Sequence, residues 1–390
     1  MRVAGGRAGA LGVAGSLVAA AVLGGCGGPA GGGGKKEYVL GFQGPLSGDA
    51  QQLGINAYDG MLTAVDLANQ RPDLQFQLRI VAADDQGDPR QGPTAAQKLI
   101  DNPSVLAVVG PVFSGPTKTS EPLYSRAGML SVSPSATAPD LTGLGFRTFR
   151  RVIASDAVQG KAAADYVSTV LKARTVFSLD DRSAYGTGLS TALEQALAAH
   201  GINVIHDGIN PTQDYTPEAT KIMKAEPDVL YYSGYYSELA PLVRALRGQG
   251  FTGKIVAGDG SNDDQLIRQA GAGNADGVLL TCACGDPNSD PAASDFVAKF
   301  RAVNSGVRPG TYSGEAYDAT NAIIDTLHRL GDTADRSAVV TAFGSVNIPG
   351  VTKRIAFRKD GNVDGSPVYV FQVRDGKRTV LGPVDTLTRP

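Results

Sequence analysis

Apolar and polar positions along the chain fall into two recurring forms: short runs rich in β-branched residues, and longer stretches with apolar residues at helical spacing. Positions 39–42 read as a strand, and 56–70 as a helix with Ala57, Met61, Ala64, Val65 and Ala68 on one face. A strand over 76–82 ends in the turn Ala83-Asp84-Asp85-Gln86-Gly87-Asp88-Pro89, and 94–101 reads as a helix. Next come two apolar runs, 105–112 and 129–132, each stopping at small hydroxyl residues. The first runs into Phe113-Ser114-Gly115-Pro116, the second into Ser133-Pro134-Ser135-Ala136-Thr137. A strand that runs into Ser or Thr predicts a helix start, so Ser114 is the expected cap of a helix carrying 117–126, with Pro116 in its first turn.

A strand over 148–152 closes this array, and 154–159 reads as a crossing. The alternation restarts with helices at 160–171, 187–200, 216–225 and 239–249 and strands at 175–179, 204–207, 229–232 and 254–257. A strand over 277–281 leads back, helices at 294–301 and 317–329 return to the first array, and strands 354–357 and 368–373, joined through Asp360-Gly361, end the chain. Strand–helix alternation predicts an α/β chain of doubly wound parallel sheets. At 390 residues the chain exceeds what one core usually uses, so two lobes are expected. Lobe 1 takes 38–155 plus 286–358, and lobe 2 takes 156–285 plus 359–390.

The N-terminus breaks this pattern. Arg2 and Arg7 precede an apolar stretch over 8–22, followed by Leu23-Gly24-Gly25-Cys26. Basic start, short apolar run and small residues read as an export signal over 1–25, too short to span a membrane comfortably. The ending resembles a bacterial lipobox, which makes Cys26 the expected lipidation site and first mature residue. Residues 26–37, rich in glycine, read as a lipidated flexible tether. The predicted location is the outer face of the cell membrane, held by lipid.

Composition narrows the partners. The net charge of -2 and 19% charged residues offer no basic surface for a polyanion, so nucleic acid is not an expected partner. With 3 cysteines and 3 histidines there is little material for a metal site or a thiol enzyme, and no metal or cofactor is expected. Asp84, Asp85 and Asp88 lack the further ligands of a calcium loop and read as turn and cap residues. His200, His206 and His328 are scattered and read as surface or packing residues. No nucleophile elbow, HExxH motif or P-loop is present, so the chain does not read as an enzyme. Cys282 and Cys284, one residue apart, are a possible disulfide after export.

In open parallel sheets ligands bind beyond the carboxyl ends of the strands. In the first array those ends carry Ser47, Asp84, Ser114 and Ser135 to Thr137; in the second they carry Asp180, Asp181, Tyr185, Tyr235 and Asp259. Hydroxyls and helix N-termini suit a carboxylate, whereas a buried acid suits an ammonium. A zwitterion fits that division, its carboxylate on Ser114 and Thr137 and its ammonium on Asp259.

The stretch SGPTKTSEPLYSRAGMLSVSPSATAPDLT, with VLYYSGYYSE and the Asp259 turn, resembles the Leu/Ile/Val-binding proteins of bacterial amino-acid ABC importers. The likeness runs from about Val39 to the C-terminal strands. It implies a type I periplasmic-binding fold, two lobes joined by three hinge crossovers, with a small amino acid, branched-chain aliphatic first, held in the cleft and delivered to an ABC permease. It makes Ser114 and Thr137 the carboxylate binders, with backbone groups of Ser135 or Ala136 nearby. Asp259 becomes the ammonium partner, Tyr235 a second ammonium contact, and Tyr185 a wall of the second lobe. Leu53 stands where well-known members have an aromatic wall, and Gly87 and Phe113 where they have a disulfide. The alternatives within the same fold are a sensory binding protein, or a transporter component for an amide, urea-type or other amino-acid ligand.

Overall fold

The computed structural model describes residues 35–389. The export signal, Cys26 and most of the tether lie outside the described residues. Two sheets organise the rest. The first contains β1 (Lys36–Gly44), β2 (Phe76–Asp84), β3 (Val105–Val109), β4 (Leu130–Ser133) and β5 (Phe149–Arg151), in the order β2-β1-β3-β4-β5, all parallel. Between them run α1 (Gln51–Asn69), α2 (Gly92–Ile100) and α3 (Ser114–Arg126). β3, Val-Leu-Ala-Val-Val, is buried throughout, as a central strand covered on both faces must be. α1 starts earlier than its apolar stripe predicts, because polar Gln51 and Gln52 open the helix one turn ahead of that stripe, followed by buried Leu53 and Gly54.

After β5 the chain crosses into the second array: α4 (Asp156–Thr169), β6 (Thr175–Asp180), α5 (Ala184–Ala199), β7 (Asn203–Gly208), α6 (Thr216–Ala225), β8 (Val229–Ser233), α7 (Tyr236–Gly248), β9 (Lys254–Ala257), α8 (Asp264–Ala270), α9 (Ala272–Ala275) and β10 (Leu279–Cys282). A second crossing follows β10. Then α10 (Ser294–Val303), α11 (Ser313–Leu330) and α12 (Arg336–Phe343) return to the first sheet, where α11 packs along α1 and α12 against β3. A third crossing leads into β13 (Tyr369–Arg374) and β14 (Lys377–Pro383), and α13 (Val384–Leu387) ends the described chain, packed against α4. The third crossing touches the first: Arg151 and Val363 bond through the backbone at 3.1 Å, as do Arg151 and Gly361. The architecture is therefore two α/β lobes joined by three crossovers.

The C-terminal strands depart from expectation. The run at 354–357 forms β12 (Arg354–Ala356), which pairs with β11 (Asn347–Pro349) in a separate hairpin rather than with 368–373. The second sheet runs β14-β13-β10-β9-β8-β6-β7, and β13 is antiparallel to both β10 and β14, so one edge is not parallel. The reason is the choice of Asp-Gly turn. Asp375 and Gly376 both adopt positive φ, 50° and 70°, the geometry of a tight hairpin, and they lie between two strands. Asp360-Gly361 lies instead in the crossing, where Asp360 accepts from the Asn362 amide at 3.0 Å.

Candidate functional site

The loops after β3 and β4 are laced together by hydroxyls. Gly110 has φ +120°, and a Cβ there would run into the Gln43 carbonyl, so only glycine lets the loop after β3 approach β1 this closely. Ser133 donates to the Pro111 carbonyl at 2.6 Å and accepts from the Ala136 amide at 2.9 Å, while Ser135 Oγ donates to the Val112 carbonyl at 2.6 Å. Ser114 does not cap its own helix. Phe113 takes the cap position in extended conformation, Ser114 is the first helical residue, and its Oγ accepts from the Ala138 amide at 3.1 Å. The hydroxyl is spent on joining two loops, because the β4 loop brings an unpaired amide within reach.

Across the cleft, β9 ends in a short turn that carries Asp259, a fully buried residue. Its Oδ1 accepts from the Tyr185 hydroxyl at 2.7 Å and the Gln159 amide at 2.8 Å; its Oδ2 accepts from the Tyr312 hydroxyl at 2.7 Å. These donors favour the ionised form, but burial outweighs them and raises the Asp259 pKa. Ser183 caps α5, accepting from the Gly186 amide at 2.9 Å, which fixes Tyr185 in the first turn. The Tyr185 hydroxyl also accepts from the Gly260 amide at 3.0 Å. Gly260 has no substitute here, since a Cβ would stand 2.8 Å from the Tyr185 ring and 3.1 Å from that of Tyr235.

Val112, Phe113, Ser114, Ser135, Tyr185, Tyr235, Asp259, Gly260 and Tyr312 line a narrow cavity of about 10 Å³, nearly closed by the side chains that face it. The lobes meet over it. Phe113 and Tyr235 stack across the cleft at 4.4 Å between ring centroids, with Tyr185 5.3 Å beyond Tyr235. At the rim Asn56 donates to Asp263 at 2.9 Å, and the Tyr236 hydroxyl accepts from the Gln52 amide at 3.3 Å.

Ser114, Ser135, Tyr185, Tyr235 and Asp259 are therefore brought together around one cavity. Thr137 lies behind its wall, buried, with Oγ1 lacking a hydrogen-bond partner. The Ala136 amide is taken by Ser133 and its carbonyl accepts from Arg151 at 3.2 Å. Leu53, in the first turn of α1, is buried in the core and does not line the cavity. Tyr235 contributes its ring face, whereas Asp259 takes its hydrogen bonds from Tyr185, Gln159 and Tyr312. The Phe113 ring lies against Gly87. Cys282 and Cys284 are joined as a disulfide, and the Ala283 amide between them donates to Gln159 Oε1 at 3.1 Å.

Outside the cavity, the Asp84, Asp85 and Asp88 carboxylates accept from the amides of Gln86, Gly87 and Arg90, as turn residues do. Among the described residues no cluster of His, Cys, Asp or Glu is placed to hold a metal ion, and no helix is long and apolar enough to cross a membrane.

Sequence reasoning missed Tyr312, Gln159 and Asp156. Tyr312 precedes α11 with φ +71°, an unusual conformation for a tyrosine that orients its hydroxyl toward the opposite lobe. Its only sequence signal is an aromatic residue at a helix start.

A model of the periplasmic binding protein family matches residues 37–378. Leu/Ile/Val-binding protein homolog 3 of Brucella melitensis is 30% identical over 345 residues, covering 87% of this chain and 92% of the relative. A leucine binding protein, LivK, of Thermotoga maritima superposes with a TM-score of 0.82 at 26% identity, over 89% of this chain and 98% of that one. The branched-chain amino acid transporter substrate binding protein LivJ of Streptococcus pneumoniae, in complex with isoleucine, superposes with a TM-score of 0.81 at 25% identity, over 89% and 100%.

Proposed function

The chain belongs to the periplasmic binding protein family, and from that premise and its cleft we propose that it captures a small amino acid, a branched-chain one first, and delivers it to an ABC permease. The observation that carries this reading is one narrow gap between the lobes, lined by buried Ser114 and Ser135 on one side and by Asp259 with its phenols on the other. The ligand's carboxylate goes to the Ser114 end of α3, where a helix N-terminus favours negative charge. Thr137 supports that end, and its ammonium goes to Asp259. Phe113 and Tyr235 part to admit the side chain and close over it. Lobes 38–155 plus 286–358 and 156–285 plus 359–390 move about the crossovers, and the ligand stabilises closure because it touches both.

A thermal-shift screen of the purified protein against amino acids tests the reading. Ligand at one hundred times its dissociation constant adds about 2.7 kcal/mol to stability. A shift with leucine, isoleucine or valine is the expected result. A shift with amides or sugars and none with any amino acid rejects it.

We further propose that Cys26 carries the lipid anchor and holds the protein at the outer face of the cell membrane, on the strength of the Leu-Gly-Gly-Cys ending. Wild type should sediment with membranes and Cys26→Ser should not; equal sedimentation of the two rejects the anchor.

A further inference from the structure

Asp156 opens α4 directly after the first crossing and is fully buried, and neither of its carboxylate oxygens has a hydrogen-bond partner among the described residues. Its backbone N–H donates to the Thr137 carbonyl at 2.9 Å, so the two side chains leave from adjoining points. The Thr137 hydroxyl is near enough to favour the ionised acid, yet neither group completes a well-formed hydrogen bond. One turn further along α4, Gln159 donates to Asp259 at 2.8 Å, and the Asp259 charge acts on Asp156.

The charges around this pair do not balance. Arg151, at the end of β5, is buried beside Asp156, but its guanidinium is committed elsewhere. Nε donates to Asn362 at 2.6 Å, and Nη1 donates to the carbonyls of Ala136 at 3.2 Å and Ala138 at 2.8 Å. Among the described residues, the pair also acts on the phenols of Tyr185 on α5, Tyr231 on β8, Tyr235 before α7 and Tyr312 before α11. None supplies a cation. Two buried carboxylates against one guanidinium leave an excess negative charge that is unfavourable unless a proton or another cation offsets it. Burial, and then the Asp259 charge, push the Asp156 pKa well up.

We propose that Asp156 and Asp259 act as one acid pair that holds a proton in the ligand-free protein and exchanges it for the ligand's ammonium. This rests on the reading of the cleft as an amino-acid site. The O–H bond of the pair breaks, the proton leaves to solvent water, and the ammonium keeps all its own protons as its charge replaces the one lost. The pair therefore selects ligands by cation. An α-amino acid displaces the proton, whereas the 2-hydroxy or 2-oxo acid of the same shape has nothing to replace it with.

Calorimetric titration with L-leucine, in buffers of different ionisation enthalpy, counts the protons. Below the pair's upper pKa close to one proton is released per leucine bound, and affinity falls about tenfold for each pH unit of acidification. Asp156→Asn binds leucine more weakly, releases no proton and loses the pH dependence. Leucine binding by wild type without proton release, or unchanged release from Asp156→Asn, overturns the proposal. No binding of any amino acid removes the underlying reading first. A carboxyl ¹³C NMR titration of the ligand-free wild type decides the pair independently of any ligand and of how the variant folds. A raised transition shared by Asp156 and Asp259 is expected, and two ordinary, independent transitions overturn it.

Discussion

The two sides of the cleft hold their polar groups in opposite ways. On the first lobe, the Ser114, Ser133 and Ser135 hydroxyls bond to backbone groups of the neighbouring loop, and the wall they build is uncharged. On the second, a fully buried carboxylate gathers side-chain donors from α4, α5 and the segment before α11. The difference teaches which face of the cleft a charged group can relieve. A neutral wall of serines is cheap to bury and keeps its shape with or without a ligand, whereas a buried acid is costly and is relieved by a cation.

The largest effect should come from the charged side. If Asp259 pairs the ligand's ammonium as proposed, Asp259→Ala should cost about 3–5 kcal/mol of leucine binding. Near-normal affinity by calorimetry would sink the assignment.

The neutral side has a buried acid of its own behind the strands, which sharpens the contrast. Glu121 on α3 is buried, accepts from Ser131, and burial pushes its pKa up to about 8 from 4.5. The folded protein thus holds a proton that the unfolded chain has released. Its contribution is complete below pH 4.5 and is lost as pH rises to about 8, at about 1.4 kcal/mol per pH unit. Glu121→Gln should flatten the denaturation midpoint across that window, and a profile with the wild-type slope would show that Glu121 is ionised at neutrality.

The smallest effect should come from the donor that spans the cleft. Tyr312 packs with the first lobe yet donates to Asp259 on the second, so Tyr312→Phe removes one hydrogen bond of the closed form. The expected loss is about 1.5 kcal/mol of binding with little change in unfolding. An equal loss in both would assign Tyr312 to folding rather than closure.

Much of this was legible in the chain. The all-apolar β3, the hydroxyl-rich loops and the acid after β9 are local features, and they located both faces of the cleft. Readings that failed turned on choices between equivalent local signals. Asp360-Gly361 and Asp375-Gly376 are the same dipeptide, and only the second lies between strands that pair. Ser114 has the residue type of a cap, but the Ala138 amide claims its hydroxyl across two loops.

By itself the sequence determined the strand–helix alternation through β9, the two-lobed α/β class and the residue types at the strand ends, because periodicity and turn chemistry act over a few residues. It did not mark α8, α12, β11 or β14. Only the tertiary structure decided which of those residues meet. The donors to Asp259 lie 100, 74 and 53 residues away from it, and Asp156 reaches its neighbourhood only because α4 packs beside the β9 turn. Contacts at that range follow from sheet order and from the crossings between lobes, and no local pattern encodes them.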